Sequence, residues 1–284
     1  MIKKTISVII PTFNRKDTLK DAIKSVFAQT LLPDEVIIVD CGSKDGTSKA
    51  VYDYNEPIKF LQTKISGASA QRNVGIFSAK GSYIAFLDDD DIWHPEKLKI
   101  QMGFLEQHPE ISMISAGNIR IGCDIKIGRP KWILGDLYMK LFMESFIHTS
   151  TVVIKKEVFD KVGCFNEQYL RAEDYDLWLR ISRIFSLAHI KSPLAWIRKS
   201  ETRLSNDKID LRNTAMKVLK KQYDPNKIPK RKYKKRISDL EIFMGRRYIK
   251  AGKKEEGKKH YLSAIRSCPF SIRPYRYFLS ALIK

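Results

Sequence analysis

Four consecutive aspartates, Asp88-Asp89-Asp90-Asp91, follow the run Gly81-Ser82-Tyr83-Ile84-Ala85-Phe86-Leu87, which is short enough for a buried strand. They precede Ile92-Trp93-His94-Pro95, where Pro95 suits the first turn of a helix. A strand thus delivers four carboxylates to a loop. Ionised carboxylates this close repel one another, so such a loop is stable only if water solvates some, some cap helix amides, or a cation sits among them. Asp88 and Asp90, at alternate positions of a chain leaving a strand, can turn two hard oxygen ligands the same way. That suits Mg2+ or Mn2+ completed by waters and phosphates. A solvated acidic turn with Asp91 as helix N-cap accounts for the same residues, and this stretch alone leaves both readings open.

Three further places carry candidate chemistry. Asp40 ends the apolar run Glu35-Val36-Ile37-Ile38-Val39 and begins a loop, Cys41-Gly42-Ser43-Lys44-Asp45-Gly46-Thr47. It either contacts a ligand or caps that turn. The loop has neither the GxGxxG nor the GKS/T phosphate signature, so it is not a dinucleotide site or a P-loop. Arg72 lies one turn into a helix opened by Gly67-Ala68-Ser69-Ala70, where close backbone approach and a guanidinium suit an anion and a solvated arginine is the alternative. Glu173 and Asp174 stand at the amino end of a helix marked by Leu177, Ile181 and Ile184. The helix dipole favours carboxylates there in any case, and the functional alternative is one general base for a hydroxyl nucleophile.

The elements that must position these residues read as α/β. Thr5-Ile6-Ser7-Val8-Ile9-Ile10 is a β-branched strand ending at Pro11-Thr12, and Leu19, Ala22, Ile23, Val26 and Phe27 form one face of the helix that follows. With the strand ending at Asp40, this is a right-handed crossover between parallel strands. Both strand ends then emerge at the edge where open α/β sheets bind ligands, and the acidic loop should share that edge. Ile58–Leu61 is a third strand, Leu98, Met102 and Leu105 mark another helix, and Ile111–Ile114 and Thr151–Ile154 are further strands. Gly122, Gly128, Pro130 and Gly135 break up the segment 117–144, which reads as irregular loops facing a substrate.

The chain has 284 residues, 43% hydrophobic, and a net charge of +20. Most of that charge lies in 205–284, where 23 Lys plus Arg stand against 7 Asp plus Glu, while residues 1–204 carry only +4. A near-neutral enzyme-like body with a basic appendage is expected, not a domain coated for nucleic acid. No apolar run approaches the length of a membrane span and Met1–Lys4 leads straight into a strand, so the expectation is a cytoplasmic protein. Cys41, Cys123, Cys164 and Cys268 form no CxxC pair and read as reduced.

Together, Val8–Arg15, Val39–Thr47, Ala70–Gly75, Phe86–Asp91 and Glu173–Trp178 resemble the successive motifs of the family-2 glycosyltransferases, nucleotide-sugar enzymes with a GT-A fold. The resemblance covers about Thr5 to Arg198. It implies a Rossmann-like mixed sheet flanked by helices in 1–204. It also implies inverting transfer from a nucleoside-diphosphate sugar, with UDP expected, to a saccharide or lipid-linked acceptor in surface polysaccharide or glycolipid synthesis. By that resemblance Pro11, Thr12 and Asp40 line the nucleoside pocket and Arg72 approaches the nucleotide. Asp88 and Asp89 contact the donor, Asp90 with Asp88 holds Mn2+ or Mg2+, and Asp174 is the catalytic base, with Glu173 beside it. Where many relatives have Arg-x-His, this chain keeps Arg198 but has Ser200, which leaves His148 as an accessory candidate. A non-catalytic nucleotide-sugar binding module and a nucleotidyltransferase are the rival classes.

Residues 205–284 read as a small basic helical region. Lys230–Arg236 is a dense basic run, Leu240, Phe243, Met244 and Tyr248 suggest an amphipathic helix, and Lys254–Ser267 and Tyr275–Ile283 suggest two more. Adhesion to an anionic membrane surface is the functional expectation and a solvated helical bundle the plain one; no nucleic acid is expected.

Overall fold

A computed structural model describes residues 4–54, 56–125, 131–198 and 208–283. Met1, Gly128, Pro130, Ser200 and the 204/205 boundary lie outside the described residues. The β-branched runs form β1 (Ile6–Thr12), β2 (Glu35–Asp40) and β3 (Ile58–Gln62), followed by β4 (Tyr83–Phe86). The crossovers are α1 (Lys16–Phe27), α2 (Thr47–Tyr52) and α3 (Ala68–Ser78), and α1 buries Leu19, Ala22, Ile23 and Val26, the face its periodicity predicts. β1 pairs in parallel with both β2 and β4, with Thr12 opposite Asp40, so these strands end at one edge.

The chain continues through β5 (Ile92–Trp93), α4 (Lys97–Gln107), β6 (Ile111–Arg120), β7 (Trp132–Gly135) and α5 (Tyr138–Met143). A 3₁₀ turn, Thr149–Thr151, then leads to β8 (Val153–Lys155), α6 (Val158–Val162), α7 (Glu173–Ile184) and β9 (Ser186–Ile197). Among the described residues the sheet runs β3-β2-β1-β4-β8-β6-β9-β5, with β7 also on β9. β8 is antiparallel to β4 and β6, so the sheet is mixed, and the α/β class expected from the sequence is found. Ile10, Ile38, Ala85 and Leu87 from its centre pack with Leu19, Ile23, Leu98 and Leu105 of α1 and α4 in one core.

The middle segment differs from expectation. β6 runs on to Arg120, β7 pairs with β9, and α5 is helical. The strand pattern is hidden because register shifts flank Gly117, and because Lys191 and Pro193 break the apolar pattern of β9. A Cβ at Gly117 would lie 2.5 Å from the Lys191 carbonyl oxygen, so β6 and β9 approach this closely only through a glycine.

The described chain divides into two compact units, Met1–Leu137 with Ser145–Arg203, and Tyr138–Glu144 with Leu204–Lys284. The second contains α5 together with α8 (Lys208–Gln222), α9 (Lys230–Lys250), α10 (Lys254–Ser267) and α11 (Ile272–Ile283). The basic run Lys230–Arg236 is itself the first two turns of α9. Among the described residues no helix is long and apolar enough to cross a membrane, and the four cysteines are free.

Candidate active site

The edge where β1, β2 and β4 end carries the acidic loop. Thr12, the last residue of β1, donates its hydroxyl to Asp89 Oδ2 at 2.9 Å. Asn14 adopts a left-handed conformation (φ 50°), which asparagine tolerates, and turns the chain from β1 into α1 just before Arg15. Arg15 Nη1 donates to Asp89 Oδ1 at 3.2 Å and to Asp90 Oδ2 at 2.7 Å. Burial outweighs the Arg15 guanidinium and the Thr12 hydroxyl and pushes the Asp89 carboxyl up to about 7.

A second arginine joins this loop to α7. Arg72, buried on α3, donates through Nη2 to Asp88 Oδ1 at 2.7 Å and through Nη1 to Glu173 Oε1 at 2.9 Å. Burial opposes its charge, but the two carboxylates prevail and hold its pKa above the ordinary value. Ala172, also left-handed (φ 55°), precedes Glu173; a non-glycine residue there carries strain of about 1–2 kcal/mol that fixes how α7 begins. Asp174 Oδ1 accepts the Tyr175 N–H at 2.7 Å, and Oδ2 accepts the Thr149 hydroxyl at 3.4 Å. Burial, reinforced by Glu173 and opposed by Arg72, pushes the Asp174 carboxyl up to about 7.

The third group gathers on the Thr149–Thr151 turn. The Ser150 hydroxyl donates to Asp91 Oδ2 at 2.6 Å and accepts the Asp88 N–H at 3.1 Å. His148 Nδ1 accepts the Ser150 N–H at 3.4 Å and lies 3.8 Å from Asp91 Oδ2. One ligand atom from each of Asp88, Asp91 and His148 falls within 4.8 Å of the others. Two carboxylates and an imidazole suit a hard or borderline divalent cation. Asp90 stands outside this group, with its carboxylate on Arg15 and its carbonyl accepting Arg198 Nε–H at 3.2 Å. Asp91 does not cap a helix. Glu96 precedes α4, and β5 separates Asp91 from it, so the buried Asp91 carboxylate instead accepts the Arg198 N–H at 3.2 Å. Arg198 completes a clasp on the loop through Asp21, 2.9 Å from Nη2.

Pro11 and Asp40 lie at the same edge, but Asp40 is fully buried and accepts the Ser43 N–H and hydroxyl. The contacts present are those of the turn-capping reading. Sequence reasoning singled out Asp88, Asp89, Asp90, Arg72, Glu173 and Asp174 and did not single out Arg15, Thr149 or Ser150. Arg15 has one signal, its place in the loop that follows the strand end, whereas a lone serine ahead of a strand has none.

The sequence model described as Glycosyl transferase family 2 matches residues 7–165. An uncharacterized glycosyltransferase of Rickettsia prowazekii is 30% identical over 193 residues, 64% of this chain and 60% of that protein. The chain spans 31% of the length of a Rickettsia felis relative. The UDP-Glc:alpha-D-GlcNAc-diphosphoundecaprenol beta-1,3-glucosyltransferase WfgD of Escherichia coli is 31% identical over 224 residues, 77% of this chain and 84% of the relative. Among solved structures, the mannosyltransferase PcManGT of Pyrobaculum calidifontis in complex with GDP-Man and Mn2+ superposes with a TM-score of 0.64 at 17% identity, over 98% of this chain and 79% of that one.

Proposed function

This chain belongs to glycosyl transferase family 2, and from that premise we propose that it transfers a sugar, with inversion, from a nucleoside-diphosphate donor to an acceptor hydroxyl. The observation that carries the reading is the Arg72 bridge. It ties Asp88 of the acidic loop to Glu173, so a diphosphate-binding loop and a carboxylate pushed to about 7, Asp174, belong to one charge network.

In this reading Asp174 takes the acceptor hydroxyl proton as the hydroxyl oxygen bonds to the anomeric carbon and the bond from that carbon to the diphosphate oxygen breaks. The products are the glycoside and the nucleoside diphosphate, and the proton rests on Asp174. Pro11, Thr12 and Asp40 flank the nucleoside end, while Asp89, held by Thr12 and Arg15, faces the donor. Asp88, Asp91 and His148 would hold a divalent cation, Mn2+ or Mg2+, in place of the Asp88–Asp90 pair suggested by the sequence. Such a cation supplies charge stabilisation to the departing diphosphate. The name of the Escherichia coli relative, with UDP-Glc and a diphosphoundecaprenol-linked sugar, supports a UDP-sugar and a lipid-linked acceptor for this chain, and adhesion of the basic C-terminal unit to anionic headgroups accords with such an acceptor.

Asp174→Asn tests the reading. Transfer, measured as nucleoside diphosphate released with acceptor, should fall by about 10²-fold or more while nucleotide binding is kept. Because the base must be ionised and its pKa is raised, kcat/KM of the parent should rise about tenfold per pH unit up to about 7 and then level off. Unchanged turnover in the variant would remove Asp174 from the role. Nucleotide-sugar binding with no turnover would identify a binding module, and pyrophosphate release from a nucleoside triphosphate a nucleotidyltransferase. For the cation, Asp91→Asn should weaken Mn2+ binding more than Asp90→Asn, and the reverse order would return the site to the Asp88–Asp90 pair.

A further inference from the structure

The last described helix, α11, packs through one side only. Pro274 and Ala281 are buried and Tyr277 stacks on Tyr261 of α10 with centroids 5.8 Å apart. On the opposite side Ile272 is 76%, Tyr275 39%, Leu279 57% and Leu282 55% exposed. With successive residues about 100° apart around the axis, these four fall in a sector of about 80°. Phe270, in the turn just before the helix, is wholly exposed. Arg276 borders the stripe, while Arg273, further round the axis, pairs with Asp239 of α9 at 2.9 Å, and no acidic residue occurs from 269 to 284. Single exposed apolar residues need no explanation, whereas an aligned stripe beside an arginine does.

We propose that α11 is an interfacial helix that lies in the plane of an anionic bilayer. Ile272, Tyr275, Leu279 and Leu282 enter the boundary of the acyl chains, with Phe270 ahead of them, while Arg276 meets lipid phosphates. Charge selects this occupant over a second copy of the chain, because residues 205–284 carry a net +16 and a symmetric dimer through this face would set that charge against itself. A bilayer with acidic lipids offers apolar depth and negative charge at one surface, the two properties the helix presents side by side. The inference deepens the adhesion reading of the C-terminal unit by naming the element that inserts. It uses nothing from the transfer chemistry, so either can fail alone.

The test is co-sedimentation of the full chain with phosphatidylcholine vesicles, with and without phosphatidylglycerol. Binding is expected only with phosphatidylglycerol, and Leu279→Glu/Leu282→Glu should reduce the partition coefficient by about tenfold or more, since each leucine places several methylenes in the membrane. The unfolding temperature and nucleotide binding should not change, because both residues face solvent; Leu279→Ser/Leu282→Ser serves if the charged pair unfolds. Arg276→Gln should weaken binding and flatten its salt dependence. Full binding by the leucine variants would reduce the contact to plain charge adhesion and overturn the proposal. So would absence of binding to either vesicle, or a parent dimer that the leucine substitutions dissociate. Loss of donor binding in the parent would count against the transferase reading and leave this one intact.

Discussion

Ser150 lies wholly buried where its hydroxyl, carbonyl and amide each hold a different part of the site. The hydroxyl serves Asp91 and the Asp88 amide, the carbonyl accepts the Trp93 indole N–H at 2.6 Å, and the amide faces His148. Removing the hydroxyl takes one hydrogen bond from the buried Asp91 carboxylate and one from the Asp88 N–H, at about 1–3 kcal/mol, and loosens the carboxylate it orients. Ser150→Ala should therefore weaken Mn2+ binding, measured by titration, by about tenfold or more; an unchanged affinity would mean that the loop is organised without it. Lys97 poses a different question. It is fully buried, its Nζ sits 4.0 Å from the Trp93 ring centroid, and it has no hydrogen-bond partner among the described residues. Burial drives its pKa well below the usual lysine value. The unfolded chain then binds more protons than the folded one between the lowered and the usual pKa, so stability rises with pH across that window. Lys97→Met should raise the unfolding temperature at pH 7, and the gain should shrink as pH approaches 10. A loss at pH 7 would show that a charged ammonium on Trp93, a contact of up to about 2 kcal/mol, outweighs desolvation.

Between elements, two glycines set how closely α9 and α10 pack. A Cβ on Gly245 of α9 would fall 2.4 Å from Tyr261 Cε1 and 3.0 Å from the Gly257 carbonyl oxygen, and one on Gly257 of α10 would fall 2.6 Å from Ile249 Cγ1. Alanine gains about 1 kcal/mol of helix propensity over glycine, but overpacking against a buried ring and a backbone carbonyl costs about 1–3 kcal/mol. Gly245→Ala should lower the unfolding temperature by about 2–4 °C, whereas Gly103→Ala in α4, where a Cβ meets nothing within 4 Å, should raise it. Equal effects would show that α9 and α10 can slide apart. Elements of this kind were legible in proportion to the regularity of their patterns. β1 to β4 and α1 announce themselves through β-branched runs and a 3.6-residue stripe, and α7 through Leu177, Ile181 and Ile184. β9 did not, because its ladder carries His189, Lys191 and Pro193. The cap considered for Asp91 has a helix start too far away, because a strand as short as Ile92–Trp93 has no period to detect, and Ser150 carries no signal because its importance comes from what folds around it. Arg72 was legible as a cation near a helix start, but not as the link from Asp88 to Glu173, which are 85 residues apart in sequence.

For the whole molecule, charge and sequence suggest a cut near residue 204, yet the C-terminal unit also claims a helix from the middle of the chain. Tyr138, Leu141 and Phe142 of α5 are fully buried. The Tyr138 hydroxyl donates to the Gln222 carbonyl, and the Phe142 ring lies 6.3 Å from that of Tyr223 and 6.2 Å from that of Tyr233. These partners are on α9 or at the end of α8, so a chain ending at Arg203 keeps α5 and loses what covers it. Burying one such side chain contributes about 1.5–3 kcal/mol, and exposing three together also creates a sticky patch on a short helix that cannot hold itself together in water. The chain 1–203 should therefore aggregate or bind a hydrophobic dye, although every residue assigned to donor binding and catalysis is present in it. Adding Tyr138→Ser, Leu141→Lys and Phe142→Ser to the same truncation should restore solubility, read by size-exclusion chromatography, and with it nucleotide binding, read by thermal shift. A soluble, nucleotide-binding 1–203 without those changes would show that α5 has no need of the C-terminal helices. Failure of the triple variant to recover would show that the catalytic unit draws on residues 204–284 for more than the cover of one helix.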